Sequence, residues 1–222
     1  MNQDPIISKT IAFVKKTLEG AEGGHDWFHI QRVYNNSLHI AQYEKVDTLT
    51  VQLAALLHDI ADAKFHDGDE TVGPKKAKDF LNTMALGQVC IDHVVQIIEN
   101  ISFKSSLASP QDTRSKFSSL ELKVVQDADR LDAIGAIGIA RAFNYGGFKN
   151  RALYDPEIAP DLHMTKEAYK KSTAPTINHF YEKLLLLKDK MNTETGKQLA
   201  AERHRFMEAY LDQFYREWEG NS

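Results

Sequence analysis

A histidine and an aspartate stand side by side at the end of an apolar run, Leu53-Ala54-Ala55-Leu56-Leu57-His58-Asp59. Imidazoles and carboxylates carried into a core are costly unless they are paired, hydrogen-bonded or bound to a metal, so this pair needs partners. Together they are donors for a divalent ion. A satisfied core histidine is the plain alternative for His58. Adjacent helical residues diverge by about 100°, so both can share one ion only near a helix edge, and further ligands must come from elsewhere. Two segments could supply them. Asp26-Trp27-Phe28-His29-Ile30-Gln31-Arg32 sets Asp26, His29 and Arg32 at successive i, i+3 steps on one helical face. Val124-Val125-Gln126-Asp127-Ala128-Asp129-Arg130-Leu131-Asp132 puts three carboxylates into an otherwise apolar helix. A helix N-cap explains Asp26 equally well, and a solvated stripe explains part of the second set. Asp127 and Asp129 lie roughly 200° apart round a helix, so only one of the two can face a shared ion.

These side chains must be positioned by helices. Ile7, Ile11, Val14 and Leu18 mark one face of a helix over 6–18 that Gly20, Gly23 and Gly24 end. A second helix starts at the N-cap Asp26 and runs toward Tyr43, and the segment 51–63 is apolar nearly all round, as a central buried helix would be. The stretch 65–73 reads as a loop, Gly73-Pro74 precedes a helix over 75–81, and 89–101 gives another. The polar stretch 105–119 reads as a surface loop. One helix is expected over 120–143, with Gly135 and Gly138 spaced to let a neighbouring helix approach. The glycines and prolines of 144–175 weaken regular structure, and two long amphipathic helices, 176–191 and 195–218, follow. Period-two strand patterns, internal repeats and composition shifts are lacking. The expectation is one all-α domain over 1–222, with a core at about 25–143 and a helical extension at about 144–222.

Bulk composition narrows the function. In 222 residues, 27 Lys and Arg face 31 Asp and Glu, and the formal charge of −4 offers no field for a phosphate backbone, which disfavours polymeric nucleic acid. Cys90 is the single cysteine, so neither an internal disulfide nor a thiolate metal site is available, and a buried inert thiol is its plain reading. No stretch has the length and purity of a signal peptide or membrane span, and a cytoplasmic location is the default expectation.

The motifs also match a known family. His29 within DWFHIQRV, His58-Asp59 within LLHDIADAKF and Asp129 within QDADRLDAIGAIGIAR resemble the His, His-Asp, Asp signature of HD-superfamily metal phosphohydrolases. The ISFKS segment from Ile101 and HFYEKLLLLKDKMNT from His179 resemble the bacterial stand-alone HD subfamily, so the likeness runs from about Asp26 to the C-terminus. Family members carry an Ala-Asp-Arg-Leu motif where this chain reads Ala128-Asp129-Arg130-Leu131, which makes Asp129 the implied last ligand beside His29, His58 and Asp59. Asp127 or Asp132 would then cap a backbone or orient a ligand histidine.

The resemblance implies hydrolysis of a phosphoester or phosphoanhydride bond in a small nucleotide-like substrate, with one divalent ion (Mn, Fe, Co, Ni, Zn or Mg) generating a bound hydroxide. Asp62, three residues beyond Asp59, matches an acid that positions or deprotonates water in some HD nucleotidases; pairing with Lys64 or capping is its plain alternative. Lys64, Lys104 and Arg130 are the basic residues nearest the motifs and could take phosphate oxygens, or be ordinary surface charges. His93 could make the site binuclear, but the further histidine cluster of binuclear HD phosphodiesterases is missing, which favours one ion. His179, facing Leu184 to Leu187, reads as core, with Lys183 one turn later able to line a pocket. A phosphomonoesterase or nucleotidase is the alternative enzyme, and a non-catalytic metal or nucleotide sensor the alternative class. The C-terminal helices could support a homodimer.

Overall fold

The computed structural model describes residues 4–20, 26–61, 69–101, 117–163 and 172–221. Among them there are helices and no strands, and none of the helices is long and apolar enough to cross a membrane. The chain divides into two compact units, Met1–Asp129 and Arg130–Ser222.

The first unit is built round a short apolar helix. Helices α1 (Pro5–Thr17), α2 (Trp27–Ala41) and α5 (Gln88–Asn100) each pack on α3 (Thr48–Leu57), and α4 (Val72–Leu81) packs on α5. Val51 and Leu53 through Leu57 are all fully buried, which is why α3 has apolar residues on every side. Asp47 starts α3 by accepting the Leu49 N–H, and the expected helix over 51–63 is corrected at both ends: it begins at Thr48 and closes on His58 as its C-cap. The histidine-aspartate pair therefore lies at the helix end, His58 still with helical backbone angles of φ −62° and ψ −30°. Helix α6 (Leu120–Asp132) buries Val124, Val125 and Ala128, and Glu121 at its start accepts the backbone N–H of Asp47 at 3.1 Å. The Asn36 amide of α2 donates to the Ala128 carbonyl at 3.4 Å, and Gln126 donates to the Asn100 carbonyl at 3.1 Å. Asp127 is fully buried. Cys90 is half-buried rather than fully enclosed, with Sγ 3.7 Å from the Thr50 hydroxyl.

In the second unit, α6 ends at Asp132 and α7 (Gly135–Phe148) begins after a break, so the single helix expected over 120–143 is two. Gly135 has φ +74°, a left-handed conformation that interrupts the helix. A Cβ on Gly138 would stand 2.3 Å from the Ala133 carbonyl oxygen, so glycine there lets α7 turn close to the end of α6. The two glycines serve this turn, although Gly135 also sits against Arg203 of the last helix, as their spacing suggested. Arg141 bonds both the carboxylate and the carbonyl of Asp132, and Arg203 bonds the Leu131 carbonyl. Asp132 is thus anchored by arginine.

The long helix expected over 176–191 is also corrected. It divides at Lys183 (φ −145°, ψ −56°) into α8 (Asn178–Glu182) and a 3-10 helix (Leu184–Lys190). In a 3-10 turn residues i and i+3 eclipse, which aligns Leu184 with Leu187 and leaves Leu186 exposed. The last helix, α9 (Glu194–Trp218), is capped by the Thr193 hydroxyl and packs on α7 and the 3-10 helix. Its Tyr210 and Phe214 join Phe143 and Phe180 in an aromatic core, and Trp218 packs edge-on to Tyr154.

Candidate metal centre

Three elements of the first unit bring candidate ligands together. At the start of α2, the Asp26 carboxylate accepts the backbone N–H of His29 at 2.9 Å, which fixes the first turn and presents the buried His29 side chain to the interior. Asp26 is a cap. At the end of α3, His58 Nδ1 donates to the Ala55 carbonyl at 2.9 Å; a carbonyl only accepts, so Nδ1 carries the proton and Nε2 is left as a lone pair. That Nε2 is buried and has no hydrogen-bond partner. The rings of His29 and His58 meet edge to face with centroids 5.4 Å apart.

Around these rings stand two carboxylates. One ligand atom from each of His29, His58 and Asp59 falls within 4.8 Å of the others. Asp129, near the end of α6, brings Oδ1 to 3.6 Å from His29 Nε2 and 3.9 Å from His58 Nε2. These separations are too long for hydrogen bonds. They suit atoms sharing an ion, since two ligands at about 2.1 Å from a common centre lie about 3 to 4.2 Å apart. Leaving a buried nitrogen without a partner costs about 1–3 kcal/mol, so the lone pair of His58 asks for a cation. The donors are nitrogen and carboxylate oxygen with no thiolate, which fits a borderline or hard divalent ion. Asp129 has a side chain 43% exposed while Asp127 is fully buried, so the two diverge round α6 as helical phase requires, and Asp129 is the one beside both imidazoles.

Three other candidates have partners of their own. Arg130 donates to the Lys190 carbonyl at 2.6 Å, within the second unit. Asp132 is held by Arg141. His93 places Nε2 3.0 Å from the Ser119 hydroxyl and 3.6 Å from Glu121, and does not join the cluster. Asp62, Lys64 and Lys104 lie outside the described residues. A residue the sequence reading missed is Asn36, whose amide holds α6 by the carbonyl next to Asp129. The two are 92 positions apart in the chain, and no local signal links them.

The chain is 44% identical to an HD-superfamily hydrolase from Bacillus thuringiensis whose crystal structure covers 96% of this chain and 97% of its own, with a TM-score of 0.77. The HD domain family model matches residues 27–134, which include all four candidate ligands. The chain belongs to the HD superfamily. It is a metal-dependent phosphohydrolase of that superfamily. YpgQ of Bacillus subtilis is 39% identical over 94% of this HD chain and 91% of its own length. A crystal structure of YpgQ in complex with ADP superposes with a TM-score of 0.70 over 95% of this chain and 94% of its own, at 36% identity. A Lactobacillus plantarum structure, 38% identical, covers 99% of the HD chain and all of its own with a TM-score of 0.78.

Proposed function

We propose that this HD hydrolase cleaves a phosphoester or phosphoanhydride bond in a small nucleotide. The observation that carries the reading is the buried, unpartnered Nε2 of His58 beside His29 and the Asp129 carboxylate. The nucleotide class is supported by the ADP complex of YpgQ. On this reading His29, His58, Asp59 and Asp129 hold one divalent ion, of which Mn, Fe, Co, Ni, Zn and Mg all suit the donors. When bound, such an ion lowers the pKa of water toward neutrality and offsets charge on phosphoryl oxygens.

The protein's own groups do the rest. The Ala55 carbonyl holds the His58 proton on Nδ1, which leaves Nε2 to serve as the ligand atom. The Asp26 cap fixes the backbone that carries His29. Asp62 orients the attacking water and takes its proton. Lys64, Lys104 and Arg130 bind phosphate oxygens and neutralise the leaving group.

The test is a screen of metal-reconstituted protein against nucleoside mono-, di- and triphosphates, with phosphate and pyrophosphate measured separately. Release of pyrophosphate or phosphate from di- or triphosphates is the expected result. Phosphate from monophosphates alone would make the enzyme a nucleotidase. Binding without turnover of any of them, with the metal in place, would contradict the hydrolytic reading and leave a sensor.

A further inference from the structure

The second unit holds a cavity of about 370 Å³, and the proposed hydrolysis uses none of the residues that line it. Three tyrosines line it, Tyr154 beyond α7, Tyr181 on α8 and Tyr215 on α9, together with Asp155, Pro160 and Asn178. Hydrogen bonds tie the loop that carries Tyr154 and Asp155 to α8 and the residues before it. Thr176 and Ile177 donate their backbone N–H groups to the carbonyls of Ala152 and Leu153 at 2.9 and 3.0 Å. The amide of the buried Asn178 donates to the Ile158 carbonyl at 2.9 Å, and the Asp161 N–H donates to the Glu182 carboxylate at 3.2 Å. A loop held in this way presents a pre-formed pocket, as small-molecule sites usually do. Tyr154 meets Tyr215 at 69° with centroids 5.3 Å apart, so the two rings form a corner rather than a stack. The Tyr181 and Tyr215 hydroxyls share a hydrogen bond of 3.1 Å. Burial, then that bond, push the Tyr215 phenol up, and it stays neutral.

Among the described residues, Asp155 is the one charged group of the lining. One of its oxygens accepts the Glu157 N–H at 2.9 Å, and no lysine, arginine or histidine of the described residues forms an ion pair with it. Glu157, Asp161 and Glu182, on the same loop and helix, likewise have no ion-pair partner among the described residues. Nor does any described cation lie over the rings of Tyr154, Tyr181 or Tyr215. A carboxylate without a counter-ion beside aromatic faces, whose quadrupole is negative, attracts a cation. A primary ammonium would bring three donors, yet the Ile158 carbonyl and one Asp155 oxygen already accept hydrogen bonds. A quaternary ammonium has no donor to satisfy, and its methyl groups suit a wall of tyrosine and proline. We propose that this cavity binds a quaternary ammonium ion, its charge set against Asp155 and its methyl groups against the rings of Tyr154, Tyr181 and Tyr215.

The test is a calorimetric titration of the full chain at fixed ionic strength with choline, with its neutral carbon isostere dimethylbutanol and with ethanolamine. Choline is expected to bind saturably, and the isostere and ethanolamine more weakly by about tenfold or more. Asp155→Asn keeps an oxygen to accept the Glu157 N–H, so it removes the charge while leaving the loop bonded, and it should weaken choline binding by about tenfold. Tyr154→Leu removes one wall of the corner and should weaken choline binding too; if that variant does not fold, Asp155→Asn still decides the matter. NMR gives a second readout, because ring currents must move the methyl resonance of bound choline upfield. A choline response that never saturates, equal affinity for the isostere or for ethanolamine, unchanged affinity in Asp155→Asn, or binding without the upfield shift would overturn the proposal.

Discussion

His58 enters the cluster with one ring nitrogen committed to Ala55 and the other buried without a partner, and this asymmetry gives the imidazole a single use. Asp129 is the carboxylate beside it, whereas Asp127 points into the core. Asp129→Ala is therefore expected to lose the divalent ion, and Asp127→Asn to keep most of it while unfolding at lower temperature. A metal titration with the reverse outcome would move the ligand to Asp127. If Asp62 takes a proton from water, Asp62→Asn should retain metal and substrate affinity while slowing the chemical step by roughly 10² to 10⁴. Wild-type turnover in that variant, with metal content verified, would leave no role for Asp62. At this scale much was legible, because His29, His58-Asp59 and Asp129 stand in motifs that resemble a known signature. What spacing alone could not reveal was the tautomer of His58, set by a carbonyl three residues back.

Elements were read well wherever local chemistry decides them and poorly wherever tertiary packing does. Asp26 announced the start of α2, and the apolar run announced α3. The break between α6 and α7 was hidden because Gly135 and Gly138 equally suit a helix crossing, and only the approach to Ala133 distinguishes the two uses. Leucines 184 to 187 likewise satisfy an α pattern, and the chain tightens to a 3-10 turn for reasons of packing. Gly138→Ala puts a methyl group 2.3 Å from a backbone oxygen that cannot move aside freely, so it should destabilise the second unit by about 2 kcal/mol or more. A thermal melt of Gly138→Ala that matches wild type would show that the turn relaxes at no cost. The arginine bonds to Leu131 and Asp132 span 72 and 9 residues, and no local pattern foretells them.

Across the whole molecule, family membership follows from similarity over nearly the full length, while the division near Asp129 left no trace in composition. Stability should depend on acidity through His179. Its folded pKa of about 3 lies below the unfolded 6.5, so the unfolded chain binds the proton first, and stability present above pH 6.5 is lost as the pH falls toward 3. The slope attributable to one such group is at most about 1.4 kcal/mol per pH unit. Denaturation series between pH 7 and 5 should flatten in His179→Gln; an identical slope in both proteins would show that the ring is not held neutral.

The central claim is that four side chains of the first unit form a divalent metal centre, and the most direct measurement is elemental analysis of purified protein against His58→Ala. Wild type should retain about one ion per chain under conditions in which His58→Ala retains almost none, with both chains folded by circular dichroism. Full occupancy in His58→Ala would contradict the account, because the buried lone pair that demands a cation would then have no part in holding it.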